Sequence, residues 1–296
     1  MDCQIDVRFF PAPPDLAGCF SSFYHATFRI AGGQRVDDLL QPEWANLRFF
    51  DGDRPDASVA GGARVNGARL TATGPSSVPV RFRIGTTRIW GMGLFPLGWA
   101  KFCGGPAAAL ANSVVDGEAH PAFANFTQLA ANLFGEVPDE QAELERIIAC
   151  FRACNRDVPD GERITAIHAA MVDPETVSVA DFAEATGLGR RTLERLCNRY
   201  FGFPPKLLLR RQRFMRSLVQ FMLDNASNWS EAMDEHYHDQ AQFVREFRAF
   251  MGMSPGAYAA REHPILGAFM KHRAKVWGAA AQTLDLPIRA SLHAAP

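Results

Sequence analysis

Nine basic side chains, Arg190, Arg191, Arg195, Arg199, Lys206, Arg210, Arg211, Arg213 and Arg216, fall in one short span whose only acid is Glu194, a local net charge of +8 (nine cations less one carboxylate). A guanidinium presents planar donors that match phosphate oxygens or the O6 and N7 of guanine, and a carboxylate can accept from cytosine N4. A cluster of this kind is the electrostatic footprint of a protein that meets a polyanion, although a solvated basic face has the same composition. The formal charge of the whole chain is −1, so the signal lies in the distribution and not in the total.

Two elements must position these side chains. Ser178 can cap a helix, with Asp181 three residues on as a variant capping box, and Val179, Phe182 and Ala183 share one face. Gly187 sits where the chain reverses and a left-handed conformation is cheapest for glycine. A second helix is expected from about Arg190, with Leu193 and Leu196 inward and Arg190, Arg191, Glu194, Arg195 and Arg199 outward. Helix, glycine turn and basic helix is the helix-turn-helix layout, whose second helix enters the DNA major groove. A generic helical pair with a wet basic face fits this stretch equally well.

A second copy shifts that balance. Residues 228–252 again give a short helix, a turn near His236 to Asp239 and a longer helix. The ending Phe250-Met-Gly252-Met-Ser-Pro255 echoes Tyr200-Phe-Gly202-Phe-Pro-Pro205. Between the copies, Pro205 suits a helix start and Lys206 to Leu223 reads as one long helix, basic in its first half.

Other chemistry is poorly supported. The cysteines at 3, 19, 103, 150, 154 and 197 form no CxxC pair, which argues for reduced thiols; Cys150 and Cys154 read as two buried thiols on one helix face and not as a metal site. His25 is the single histidine before position 118, too few for a histidine metal centre, and His168 lies on an apolar face as a structural residue. Arg81 and Arg83 read as the wet side of a strand, and Trp44, Trp90 and Trp99 as core in preference to a ligand cavity. Neither a secretory leader at Met1 to Gln4 nor a membrane-length apolar run is apparent, so a cytoplasmic protein is expected.

At 296 residues the chain suits about two domains. The fold class expected is α+β. Residues 1–118 should form a small β-barrel or sandwich: 79–85 alternates strictly, 46–52 runs into an Asp-Gly turn, and Ala63 to Thr73 reads as a hairpin broken at Gly67. Residues 119–157 read as a helical segment, one helix through Phe123, Phe126, Leu129 and Leu133 and another opened by Pro138-Asp139. The apolar stripe of that second helix is buried on the β region or shared with a second subunit. A linker at Asp157 to Gly161 opens the helical unit 158–262, and in the tail 263–296 a helix from Ile265 to about Gln282 is expected, with no functional signal beyond it.

The helical unit resembles the AraC family of bacterial transcription regulators from about Gly161 to Glu262. Arg191-Thr-Leu-Glu-Arg195, Phe201-Gly202-x-Pro204-Pro205, Leu209-Arg210-x-x-Arg213, Asp239-Gln240-Ala-Gln-Phe243-x-Arg245-Glu-Phe247 and Gly252-Met-Ser-Pro255-x-x-Tyr258 keep that family's order and spacing. The resemblance implies seven helices, with two helix-turn-helix units joined by a central helix and reading successive major-groove segments. The β region more loosely resembles the cupin-like sensing domains of such regulators. Double-stranded DNA is the implied partner, with a small-molecule effector, a second copy of the chain and, for an activator, RNA polymerase as further ones; no cofactor, catalytic residue or metal ligand is expected. Arg191, Glu194 and Arg195, with Gln240, Gln242 and Arg245 in the second unit, are placed at base edges, where a bidentate pair supplies ~1–3 kcal/mol of discrimination. Arg190, Thr192, Arg199, Lys206 and Arg210 are placed at phosphates, which position without reading sequence.

Two departures stand out. His236 occupies a turn where the family usually has glycine, and a positive φ would cost a histidine about 1 kcal/mol. Around it Asp224, Glu231, Asp234, Glu235, Asp239 and Glu246 face Arg245 alone, which predicts a first unit that carries most of the affinity. The alternatives are a protein-interaction module with a degenerate second unit, and a cysteine-based DNA repair enzyme, for which no activated thiol with a base partner is evident.

Overall fold

The computed structural model describes residues 3–224, 229–277 and 281–287; Asn228 and the end of the tail, 288–296, lie outside them. The described chain is α+β. Its ten strands form two antiparallel sheets: β1 (Cys3–Phe10), β2 (Phe20–Ile30), β3 (Val36–Leu40), β4 (Ala45–Gly52), β5 (Asp56–Val59), β6 (Arg64–Asn66), β7 (Leu70–Thr73), β8 (Val80–Ile84), β9 (Thr87–Leu94) and β10 (Val114–Asp116). One sheet runs β1-β2-β9-β4-β7-β10 and the other β3-β8-β5-β6, so the region is a pair of sheets and not a closed barrel. The hairpin expected over 63–73 does not exist. Gly67, at φ +66°, turns the chain so that β6 pairs with β5 in the small sheet while β7 pairs with β4 and β10 in the large one.

Side-chain alternation splits the large sheet between two cores. Along β2, Tyr24, Ala26, Phe28 and Ile30 face the small sheet, where Val36, Phe50, Ile84 and Ile89 join them. Phe20 and Phe23 point the other way with Leu47, Phe49, Trp90 and Met92. Helices cover that second face: α1 (Pro96–Phe102), α2 (Thr127–Asn132) and α3 (Glu140–Ala153). The stretch expected as one helix before Gly135 is instead a 3₁₀ turn, Pro121–Phe126, with Phe123 outside helical φ/ψ, followed by the short α2. Asp139 caps α3 through the Ala142 N–H, and Ile147 and Phe151 of the apolar stripe are buried against the sheet. The fully buried Glu143 fixes this docking, accepting from Trp90 Nε1 at 2.6 Å and Arg88 Nη1 at 3.2 Å. Cys150 and Cys154 are half-buried on that face and not fully buried. Trp44, Trp90 and Trp99 are all core.

Seven described helices follow: α4 (Gly161–Val172), α5 (Val179–Thr186), α6 (Arg190–Leu196), α7 (Pro205–Asp224), α8 (Trp229–Ala232), α9 (Gln240–Met251) and α10 (Pro255–Ala259). The first three share a core with the β region, since Ile164, Ile167, Phe182, Leu193 and Leu196 pack with Trp44 and Phe95. His168, 1% exposed, stands edge-on to Trp44, Phe95 and Phe201, and burial lowers its pKa to about 3, so it stays neutral. The tail forms α11 (Pro264–Trp277), where the helix from Ile265 was expected, and a 3₁₀ turn at Gln282–Leu284; residues 278–280, over which the expected helix continued, lie outside the described chain. No described helix is long and apolar enough to cross a membrane.

Candidate nucleic-acid interface

The first helix pair is built as its residues dictate. Ser178 Oγ accepts from the Asp181 N–H at 3.1 Å and Asp181 Oδ2 accepts from the Ser178 N–H at 2.8 Å, closing the capping box that starts α5. Gly187 ends α5 in the left-handed region at φ 64°, and α6 begins three residues later. Leu193 and Leu196 are fully buried while Arg190, Arg191, Glu194 and Arg195 are exposed. The helix expected to run through Arg199 changes at Cys197 into a π-turn that ends on Gly202, where a Cβ would strike Pro75 of the β region at 2.6 Å. Arg199 is exposed and lies over the Tyr200 ring; Thr192 is half-buried.

The second pair uses another turn. Among the described residues Asn112 is the one non-glycine with positive φ, so His236 carries none of the strain expected of it. Asp234 closes this longer turn, its Oδ1 accepting from the His236 N–H at 3.0 Å while its own N–H donates to Ser217 Oγ at 2.8 Å. Asp239 caps α9 through the Gln242 N–H, and the Gln242 amide oxygen accepts from the His238 N–H at 3.0 Å. Gln242 is therefore half-buried and committed to the turn, whereas Gln240 and Arg245 are exposed. Gly252 ends α9 at φ 67°, repeating the cap at Gly202.

Charge is distributed differently from the sequence count. Arg210 Nε and Arg213 Nη2 both donate to Glu246 Oε1, at 2.9 and 2.7 Å, and Tyr237 donates to the other oxygen of this buried carboxylate. Arg216 pairs with Asp234 at 2.5 Å. Arg211 leaves the surface altogether: it is fully buried, stacks on Trp44 at 4.1 Å, donates to the Ser76 carbonyl, and burial lowers its pKa to about 9. Four of the nine cations in the 190–216 patch are thus drawn into the fold, and three of them, Arg210, Arg213 and Arg216, neutralise Glu246 and Asp234 of the second pair. Arg190, Arg191, Arg195, Arg199 and Lys206 make no ion pair among the described residues. The side chain of Asp224, counted with the acids, lies outside the described part.

A cleft of about 680 Å³ runs between the start of α5, α7 and α9, and brings together Ser178, Lys206, Arg210, Arg213, Gln242 and Arg245. Arg190, Arg191, Glu194, Arg195 and Arg199 do not line it. Sequence reasoning missed Glu246 as the hub of this cleft; its placement three residues after Phe243 and four before Phe250, on the inward side of an amphipathic helix, was the available signal.

A family model described as a helix-turn-helix domain matches residues 182–261, and this region is a helix-turn-helix domain of the AraC type. Over 87 residues, 29% of this chain, the sequence is 29% identical to YkgA of Escherichia coli strain K12, which bears the name of an HTH-type transcriptional regulator; the match spans 36% of that protein, about a third of its length. Among solved structures, ToxT from Vibrio cholerae is similar at a TM-score of 0.42 and 10% identity over 88% of this chain and 98% of that one. The AraC-like transcriptional activator CuxR is similar at a TM-score of 0.24 and 15% identity over 77% and 90%.

Proposed function

We propose that this chain, whose residues 182–261 are an AraC-type helix-turn-helix domain, is a sequence-specific DNA-binding transcription regulator that works in the cytoplasm. The observation that carries the reading is α6: a short helix after a left-handed glycine turn, with three arginines and Glu194 exposed and free of ion pairs among the described residues. In this reading α5–α6 and α8–α9 are two reading units, with α7 between them. Arg191, Glu194 and Arg195 contact base edges, as do Gln240 and Arg245. Arg190, Thr192, Arg199 and Lys206 contact phosphates. Gln242 and Arg210 take lesser parts, because one is committed to the turn and the other to Glu246. The two-sheet region, about residues 1–118, serves as the sensing part, and 119–157 as its packing helices.

The first unit still carries more of the affinity, but by less than the sequence charge suggests, since Arg210, Arg213 and Arg216 offset acids of the second. Duplexes chosen by random-oligonucleotide selection should bind with log K falling against log salt at a slope near −3, about 0.9 for each of the three cations placed at phosphates, Arg190, Arg199 and Lys206. Arg195→Ala should weaken selected-site binding more than Arg245→Ala. A larger loss from the Arg245 change reverses the ranking of the units; salt-independent or absent duplex binding turns the reading toward a protein-interaction module.

A further inference from the structure

The space between the two sheets is not filled. A cavity of about 140 Å³ remains there, walled by Phe28, Phe50, Phe82 and Ile84 from the sheets and by Phe269 and Met270 from α11. A cavity of roughly 150 Å³ with aliphatic and aromatic walls admits a benzene-sized molecule. Its charged neighbours are already compensated: Arg48 donates to both oxygens of Glu43, at 2.8 and 3.0 Å, and to the Tyr24 hydroxyl at 3.1 Å, while Arg273 pairs with Asp285. A charged guest would therefore meet no spare counter-charge there. A buried hydroxyl without a partner among the described residues faces this space. Thr71, 3% exposed and facing the small sheet by strand alternation, lines the cavity, and its hydroxyl has no hydrogen-bond partner among the described residues.

The wall that α11 supplies is held at its start and along one face. Asp38, 1% exposed on β3, accepts from the backbone N–H groups of Ile265 and Leu266 at 2.9 and 2.8 Å, which fixes the helix start. On its far side Leu266 and Met270 pack against Val219, Met222 and Leu223 of α7. A guest in the cavity would touch Phe269 and Met270 on one side and the sheets on the other, so its binding energy would add to the docking of α11, and through α11 to that of α7.

We propose that this cavity is a binding site for a small uncharged ring compound with one hydrogen-bonding group, phenol being the simplest member of the class, and that its occupancy clamps α11 between the sheets and α7. The cavity and clamp stand on their own; their use as an effector site rests on the regulator reading above. The hydroxyl of the guest pairs with Thr71, and its ring fills the space beside Phe269.

The test uses the full chain without DNA, so it is independent of whether the protein binds a duplex. Calorimetric or NMR titration should show saturable binding of both phenol and toluene near millimolar concentration. Thr71→Val, which swaps an unpartnered hydroxyl for a methyl of the same shape, should weaken phenol about five- to tenfold, the worth of one neutral hydrogen bond, and toluene less than twofold. Ala57→Leu, which fills the cavity from β5, should abolish binding of both. Amide exchange over residues 264–277 should slow several-fold on saturation with phenol. The proposal is overturned if neither ring compound saturates the wild type, if Thr71→Val weakens the two equally, if benzoate binds as tightly as phenol, or if exchange in α11 is unchanged.

Discussion

Glu246 decides how many cations the helical part can offer to DNA, and Glu246→Gln isolates that role. Its carboxylate side chain is 7% exposed and holds Arg210 and Arg213 on one oxygen and the Tyr237 hydroxyl on the other. Glutamine keeps the shape and one acceptor but removes the charge. Charge-assisted hydrogen bonds contribute about 1.5–3 kcal/mol each against about 1 for neutral ones. Two such bonds are weakened, and the Arg210 side chain, at 39% exposure, counts for less because water screens it. The expected loss is about 2–3 kcal/mol, or roughly 5–10 °C in Tm at 2–4 °C per kcal/mol for a unit of this size. The two guanidinium groups then become available to phosphates across the cleft they share with Lys206 and Arg245. Each added phosphate contact contributes about −0.9 to the slope of log K against log salt, so the variant's slope should steepen by about 1–2. Fluorescence anisotropy on one labelled duplex across a salt series, paired with thermal unfolding, reads both quantities. A slope that stays the same while Tm falls would falsify the idea that Glu246 withholds two cations from DNA.

Two further outcomes follow from buried ionisable groups. Arg211→Met should raise stability by about 1–2 kcal/mol in urea unfolding: burial of the guanidinium, offset by one carbonyl and the Trp44 face, has no carboxylate partner in the described chain, and apolar replacements of buried charge are commonly neutral to stabilising by ~1–4 kcal/mol; a loss above about 2 kcal/mol would show instead that the stack outweighs desolvation. His168 stays neutral in the fold to about pH 3 but takes up a proton near 6.5 when unfolded. Because the unfolded state then binds more protons, this residue's contribution to stability is intact above pH 6.5 and falls by up to about 1.4 kcal/mol per pH unit as pH drops from 6.5 toward 3. The pH profile of His168→Phe should be shallower than the wild type's by that amount in that window, and parallel profiles would count against a neutral buried imidazole.

What the sequence disclosed depended on how local its causes were. The capping box at Ser178, the left-handed Gly187, the strict alternation of β8 and the paired ends at Gly202 and Gly252 are set by residues within one turn or one strand, and each appears where its spacing puts it. The partition of strands was not legible, because Gly67 marks a turn without saying which sheet the chain enters next. Nor was the destination of the tail. Ile265, Leu266, Phe269 and Met270 form a plain apolar stripe, and Asp38, which receives the helix start, lies more than two hundred residues away in sequence. The turn at His236 was misjudged for a related reason: an Asp two residues earlier closes a longer loop, and a positive φ is needed only in the tight version.

The charge count failed most instructively in α7. Adjacent residues on a helix are separated by about 100°, while positions three or four apart share a face. Arg210 and Arg213 therefore turn together toward Glu246, whereas Arg211, one step on, must face elsewhere and enters the β region beside Trp44. Gln212, a further step round, donates to the Thr283 carbonyl of the tail. One run of residues thus binds the second helix pair, the two-sheet region and the tail at once. A change in any of these contacts acts on the helix that sets the spacing of α6 and α9. On this geometry the density of arginine on α7 belongs to assembly, and the cations left for a phosphate backbone are those on α6 and at the start of α7.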